Sequence, residues 1–253
     1  MSEPVLGTER WLSAIEDHSV GFAESARDHL DAPVEHCPGW DVAELVTHLT
    51  QVHWFWRTIA GEQLVSPPEE SRRPAPVARD ELVAVFERGA AELVRVLREA
   101  DQDAPCWTWS TQRDVRFITR HQVQETAVHH WDAANAAGHD VPIATDVATD
   151  AVAEFLAFST ANAGDPAPEP MPELGTSLTL RCSDSDGAWT LTDVTPADRR
   201  TTALSVAAGA SGDVVVEAPA DRLLLWLYGR VELDGATAQA ALVERFRGFT
   251  FTD

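Results

Sequence analysis

Hydrophobic residues recur at helical spacing through the first half of the chain. Such stretches run from about residue 5 to 30, 41 to 60, 80 to 100 and 115 to 137, each with one apolar and one polar face. Segments that contain Pro and Gly separate them. Four amphipathic helices of about 20 residues predict an antiparallel four-helix bundle.

The pattern changes in the second half. A fifth helical stretch, from about residue 146 to 161, leads into a Pro-rich segment, NAGDPAPEPMPELG. Short runs rich in β-branched residues follow, which is typical of strands: SLTLRC, AWTLTDV, TALSVAA and DVVVEAP. Two more helical stretches, ADRLLLWLYGR and about residues 236 to 248, predict a small antiparallel sheet with helices on one face.

These patterns predict an α+β protein of two domains. Residues 1–163 form the helical bundle with the linker helix that follows it, and residues 176–253 form the sheet domain. A chain of 253 residues is long enough to bury two such cores.

Composition and charge narrow the function classes. The net charge of -22 disfavours nucleic acid and anionic membranes as partners. All 19 basic residues are Arg, which excludes a Schiff-base or P-loop lysine. An Arg-, Ala- and Asp-rich chain is typical of a GC-rich genome and suggests an actinobacterial source.

The N-terminus and the cysteines indicate a cytoplasmic protein. The first residues lack the basic and apolar regions of a signal peptide, and no run is long enough to span a membrane. The three cysteines are far apart and odd in number, which favours a reducing compartment. We interpret Cys37 and Cys106 as structural, because the sequence places no base beside them.

The fourth predicted helix carries a polar stripe beside its apolar one. His121, Glu125, His129 and Asp132 are spaced by four, four and three residues, so they project from nearly one face. Glu125 and His129 at i and i+4 can chelate one ion, although such pairs also decorate solvated helix faces. Asp132 can orient a ligand histidine or be a solvated acid. His121 is a possible fourth ligand, but we favour a wall residue because catalytic zinc keeps an open position.

The second predicted helix offers a further ligand. His48 interrupts an otherwise apolar row, and an unpaired buried polar group is costly. A lone His in such a row is more often a core residue bonded to a carboxylate. Together, His48, Glu125 and His129 are compatible both with a divalent metal site between two helices of the bundle and with ordinary buried histidine–carboxylate pairs, and helical spacing does not decide between the two.

Three stretches resemble the mycothiol-dependent maleylpyruvate isomerase family, whose N-terminal domain is a DinB-like metal-binding bundle. They are CPGWDVAELVTHL at 37–49, QETAVHHWDAANAAG at 124–138 and DRLLLWLYGR at 221–230. The resemblance implies that His48, Glu125 and His129 ligate a divalent metal, usually zinc. Gln124 and His130 depart from the family pattern, in which His and Arg are more frequent. These departures leave the ligands intact and bear on the substrate.

The resemblance further implies a metal- and mycothiol-dependent enzyme. A thiolate would add to an electrophilic carbon of a small-molecule substrate such as an unsaturated acid, giving cis–trans isomerisation when the thiol is expelled. Retention of the thiol would make the protein an S-transferase. A metal-stabilised binding module without activity is a third possibility. Arg230, at the end of the third stretch, is a candidate catalytic anion clamp, or an arginine that favours the helix dipole.

Overall fold

The computed structural model describes residues 6–160, 170, 172–198, 201, 203–209, 211–237 and 239–250. The chain divides into two compact units, with the boundary between Ile143 and Ala144. In the described residues, none of the helices combines the length and apolar character that crossing a membrane requires.

The N-terminal unit is the four-helix bundle that the periodicity predicts. Its helices are α1 (Thr8–Arg27), α2 (Val42–Glu62), α3 (Leu82–Glu99) and α4 (Val115–Ala136), with two short 3-10 turns at Glu70–Arg72 and Arg79–Glu81. The residues that line one shared core are apolar and buried: Phe22, Ala23, Ala26, Val34, Val42, Leu45, Val46, Leu49, Val83, Phe86, Ala90 and Ala133.

Side-chain caps begin the two helices that matter most for the site. Asp41 accepts a hydrogen bond from the Glu44 N–H, and Glu44 accepts one from the Asp41 N–H, both at 2.9 Å. This is the capping box that the sequence predicts. Asp114 caps α4 by accepting from the Phe117 N–H at 2.9 Å. Both caps set where the helical spacing of the following residues starts.

The bundle is not antiparallel throughout. The ring of His53 on α2 lies 5.4 Å from that of Phe86, and a Cβ added at Gly61 would lie 3.1 Å from Val96. Later residues of α2 therefore lie beside later residues of α3, so these neighbouring helices run parallel. The reason is the long segment 63–81, which returns the chain to the opposite end of the bundle before α3 begins.

The C-terminal unit contains α5 (Thr145–Phe158), β1 (Leu178–Cys182), β2 (Ala188–Asp193), β3 (Leu204–Ala208), β4 (Val214–Ala218), α6 (Ala220–Leu227), α7 (Asp234–Thr237) and α8 (Ala240–Arg247). We expected α5 to be a linker belonging to the first domain. It instead contacts α6 and clusters with the C-terminal unit.

The sheet has the order β3-β2-β1-β4 and is mixed. β1 and β2 pair antiparallel, as do β2 and β3, but β4 lies parallel to β1. The prediction of a purely antiparallel sheet is therefore wrong for this one edge. The short link after β3 crosses to the far edge instead of making a hairpin, so β4 enters in the direction of β1.

Two threonine hydroxyls hold that link against the sheet. The Ser211 N–H donates to Thr190 Oγ1 at 3.0 Å, and the Gly212 N–H donates to Thr179 Oγ1 at 2.9 Å. A Cβ at Gly212 would lie 2.7 Å from Thr179 Oγ1 and 3.0 Å from its backbone nitrogen. The crossing thus requires glycine at its closest approach.

The opposite face of the sheet is apolar. Its buried members include Leu178, Leu180, Trp189, Leu191 and Val216. Helix α6 contacts β1 and β4, and α7 contacts β4. The alternation along the strands thus separates a helix-covered face from a polar one, as the period-two pattern predicts.

Candidate metal centre

Helix α4 is buried on nearly all sides, including most of its polar residues. Eighteen of its 22 residues are buried, although the sequence is not apolar all round. Buried polar groups are stable only when they find partners. The polar stripe of α4 therefore belongs to the interior of the bundle and not to a solvated surface.

The three predicted ligands converge. His48 Nε2 lies 3.3 Å from Glu125 Oε1, and His129 Nε2 lies 3.5 Å from the same oxygen. The rings of His48 and His129 are 5.1 Å apart and nearly perpendicular. One ligand atom from each residue lies within 4.8 Å of the others. Residues 77 positions apart in the chain thus meet because α2 and α4 pack side by side.

The electrostatics of the group are those of a charged cluster. Burial acts to raise the pKa of Glu125, but His129 and His48 outweigh it and hold that pKa well below its usual range. Burial acts to lower the pKa of His129, but Glu125 and Asp132 outweigh it and raise the pKa to about 9. The buried carboxylate of Glu125 therefore stabilises a positive charge placed beside it.

Asp132 lies behind His129. Its Oδ2 is 3.0 Å from His129 Nδ1, and the residue is 1% exposed. Asp132 can accept a hydrogen bond from the Nδ1–H of His129, which fixes the ring with Nε2 facing Glu125. This is how carboxylates orient metal-binding histidines, and it favours the orienting role over the solvated one.

One side of the group is open. The side chain of His48 is 32% exposed, whereas that of Glu125 is 10% exposed. The ring of Trp40, in the loop before α2, lies 5.1 Å from the His48 ring. Solvent or a small ligand can therefore approach on the His48 side.

His121 belongs to an aromatic wall one turn before Glu125. Its ring stacks on Phe117 at 5.3 Å and lies near Trp56 and Trp109. Its Nδ1 is 3.1 Å from Gln124 Nε2. His121 is absent from the ligand groups of the described residues, in agreement with the wall role.

Two contributors to this region were missed by the sequence reasoning. His53 is fully buried, with Nε2 3.2 Å from Thr126 Oγ1, and burial lowers its pKa to about 3. Cys37 joins His129 and Asp132 in a second group whose ligand atoms lie within 4.8 Å of one another. Only the folded loop brings Cys37 to α4, so no spacing in the chain signals it.

The other cysteines are unsuited to nucleophilic chemistry. Burial, with a smaller contribution from Asp114, raises the pKa of Cys106 to about 11. Burial also raises the pKa of Cys182. Neither thiol forms a thiolate readily near neutral pH.

Arg230 lies in the C-terminal unit, just beyond α6. The helix ends at Leu227, earlier than the sequence predicts, and Gly229 has a positive φ of 72°. The Arg230 N–H donates to Leu225 O at 2.8 Å, which completes a glycine-based helix end. Its guanidinium donates to Tyr228 O at 2.8 Å and lies 5.8 Å from the Tyr228 ring.

The donor set fits a divalent metal. Two imidazoles and one carboxylate, with one open side, are the ligand types and number of catalytic zinc sites. The two ring nitrogens and the carboxylate oxygen already face one another, and Asp132 orients the ring of His129. The fold and this group define a class of two-domain protein with a potential metal-binding helical bundle.

Comparison with known proteins narrows the class. Residues 12–134 match the family model of the mycothiol maleylpyruvate isomerase N-terminal domain, and residues 146–244 match that of the corresponding C-terminal domain. The chain therefore belongs to the mycothiol maleylpyruvate isomerase family. The resemblance found in the sequence is confirmed, and so is the prediction that the chain is an enzyme of this family.

Other comparisons add less. The chain is similar to a solved structure described as a crystal structure of the mycothiol-dependent maleylpyruvate isomerase, with 16% identity, 89% of this chain and 90% of that chain covered, and a TM-score of 0.49. No curated protein gives a significant match.

Proposed function

We propose that this protein is a metal-dependent isomerase that uses mycothiol to convert a small unsaturated acid from its cis to its trans form. The observation that carries the proposal is the meeting of His48, Glu125 and His129 on one point, in a chain of this family. Zinc is the ion that we expect, because the ligands are two imidazoles and a carboxylate.

The protein's own residues would prepare the site. His48 and His129 would present their Nε2 atoms, and Glu125 its Oε1, from positions that they already occupy. Asp132 would hold the proton of His129 on Nδ1. A divalent metal held by these residues would supply the acidity that keeps an external thiol as its thiolate near neutral pH.

The nucleophile would come from outside the chain. The pKa of Cys106 is raised to about 11 and that of Cys182 is also raised, so neither competes with an external thiol near neutral pH. The exposed side of His48 gives such a thiol a route of approach. The aromatic wall around His121 would exclude water from the other side.

The direct test is turnover of maleylpyruvate by zinc-loaded protein with and without mycothiol. We expect isomerisation only with mycothiol, and none by His48→Ala under the same conditions. Mass spectrometry of the product separates the alternatives, since a product that retains the thiol would indicate S-transfer. Binding of zinc and mycothiol without any turnover of electrophiles would favour a binding module.

Arg230 is proposed to bind the anionic part of the substrate or thiol. Arg230→Ala should raise the KM several-fold, because a charge-assisted hydrogen bond is lost, while zinc content stays unchanged. Arg222→Ala is a matched control, because Arg222 lies on α6 and forms an ion pair with the adjacent Asp221. Unchanged kinetics in Arg230→Ala would leave Arg230 only its role at the helix end.

A further inference from the structure

The ring of His129 presents a different environment at each nitrogen. Nε2 faces Glu125, whereas Nδ1 faces Asp132 at 3.0 Å. Cys37 belongs to a group with His129 and Asp132, since one ligand atom of each of these three residues lies within 4.8 Å of the others. The two groups of three share only His129.

The loop before α2 holds Cys37 in place. The Cys37 N–H donates to Val34 O at 3.2 Å, and the Trp40 N–H donates to Cys37 O at 3.0 Å. Gly39 has a φ of +87°, which allows this tight turn. Cys37 is partly buried against the bundle core. The thiol is therefore positioned by the backbone and still within reach of solvent.

We propose that Cys37, Asp132 and the Nδ1 edge of His129 form a second divalent metal site, selective for thiophilic ions. A thiolate beside an imidazole and a carboxylate favours ions softer than zinc, so cadmium is the ion that we expect at this site. Binding would release two protons to solvent, the S–H proton of Cys37 and the Nδ1 proton of a doubly protonated His129 ring, and would leave the other ring proton on Nε2. The ion replaces both protons and keeps the charges of Cys37 and Asp132 compensated.

Occupation of the second site should exclude occupation of the first. A neutral imidazole has one lone pair, so an ion on Nδ1 places the ring proton on Nε2, the atom that faces Glu125. The ion also engages Asp132, which otherwise orients His129. This exclusion rests on the proposed role of His129 in the first site, whereas the existence of the second site does not.

Cadmium is a suitable probe, because a thiolate–cadmium bond gives an ultraviolet charge-transfer band. We expect one equivalent of Cd²⁺ to produce this band in the wild-type protein and in Cys106→Ser, but not in Cys37→Ser. Asp132→Asn, a second variant, should weaken Cd²⁺ binding by about tenfold or more. A band that persists in Cys37→Ser, or its absence from the wild type, would overturn the proposal.

Two further arms separate the two sites. His48→Ala should keep the cadmium band, because His48 belongs only to the first group. Loss of the band in His48→Ala would show one shared site and overturn the proposal. In zinc-loaded wild type, Cd²⁺ should release zinc as the band grows, and Cys37→Ser should retain its zinc at the same Cd²⁺ concentration. A full cadmium band in protein that retains its zinc would refute the claim that the two sites exclude each other. Tight zinc binding by His48→Ala without cadmium would instead contradict the proposed first site.

Discussion

Two adjacent histidines on α4 occupy opposite electrostatic environments. His129 faces Glu125 and Asp132, and its pKa is raised to about 9. His130 faces α1, where its Nδ1 lies 3.0 Å from that of His18. Burial lowers the pKa of His130 to about 4, and burial, together with His130 and Arg10, lowers that of His18 to about 4.

The comparison shows that burial alone does not decide the charge of a histidine. Both environments are largely withdrawn from solvent, and in both burial acts to lower the pKa. Carboxylates reverse the result at His129, whereas His130 has another imidazole as its neighbour. The His18–His130 pair can share one hydrogen-bonded proton and pack tightly. Glu125 and Asp132, beside His129, carry the negative charge that a bound metal ion needs.

The largest expected effect is on metal content. His48→Ala should remove most bound zinc, because the two remaining ligands bind far more weakly than three. His18→Ala is the matched control, since it removes a histidine from the other face of the bundle and should leave the zinc content unchanged. Elemental analysis of purified protein measures both. Equal loss of zinc in His48→Ala and His18→Ala would mean that the two faces of the bundle do not differ in metal binding.

A smaller effect is expected at the orienting carboxylate. Asp132→Ala should lower zinc affinity by about 10–100-fold, the usual range for residues that hold a metal-binding histidine. Asp132→Asn, which keeps a hydrogen-bond acceptor, should fall between the wild type and Ala. Competition with a chromophoric chelator gives the affinities. Unchanged affinity in both variants would show that Asp132 is not required to orient His129.

On the α1 face, the expected effect is on stability. A Cβ at Gly21 would lie 2.3 Å from Cε1 of His130. Gly21→Ala should cost about 1–3 kcal/mol through overpacking, partly offset by about 0.5–1 kcal/mol of helix propensity. In a His130→Ala background the same change should become stabilising, and urea unfolding measures both. A stability change that is the same in the two backgrounds would exclude the steric explanation.

The smallest expected effect is the number of protons that the protein releases when zinc binds. Because the pKa of His129 is about 9 in the metal-free protein, both ring nitrogens are protonated at about pH 7.5, and zinc binding must expel the proton on Nε2. We expect a release of about one proton from His129 at that pH, vanishing as the pH rises through 9. Calorimetry in buffers of different ionisation enthalpy measures it. His18→Ala should leave the count unchanged, since His18 is neutral at this pH.

The same pKa shift affects folding in the metal-free state. The folded-state pKa of His129 lies above its ordinary value of 6.5, so its contribution is fully present below about pH 6.5 and is lost as the pH rises toward 9. Glu125 acts in the opposite sense, because its lowered pKa gives stability that is lost as the pH falls.

Local patterns in the chain determined the helices and the candidate ligands. Helical spacing is a short-range property, so the start of α2 at its capping box and the shared face of Glu125 and His129 follow from neighbouring residues alone. His48 could be singled out because a polar residue in an apolar row needs a partner.

Only the tertiary structure decided which distant groups meet. The direction of α3 and the edge on which β4 pairs depend on how the links between elements cross the molecule, and periodicity carries no information about this. The same holds for Cys37 beside Asp132 and for His18 beside His130. Their distances are set by loop closure and by helix packing, which act between residues far apart in the chain.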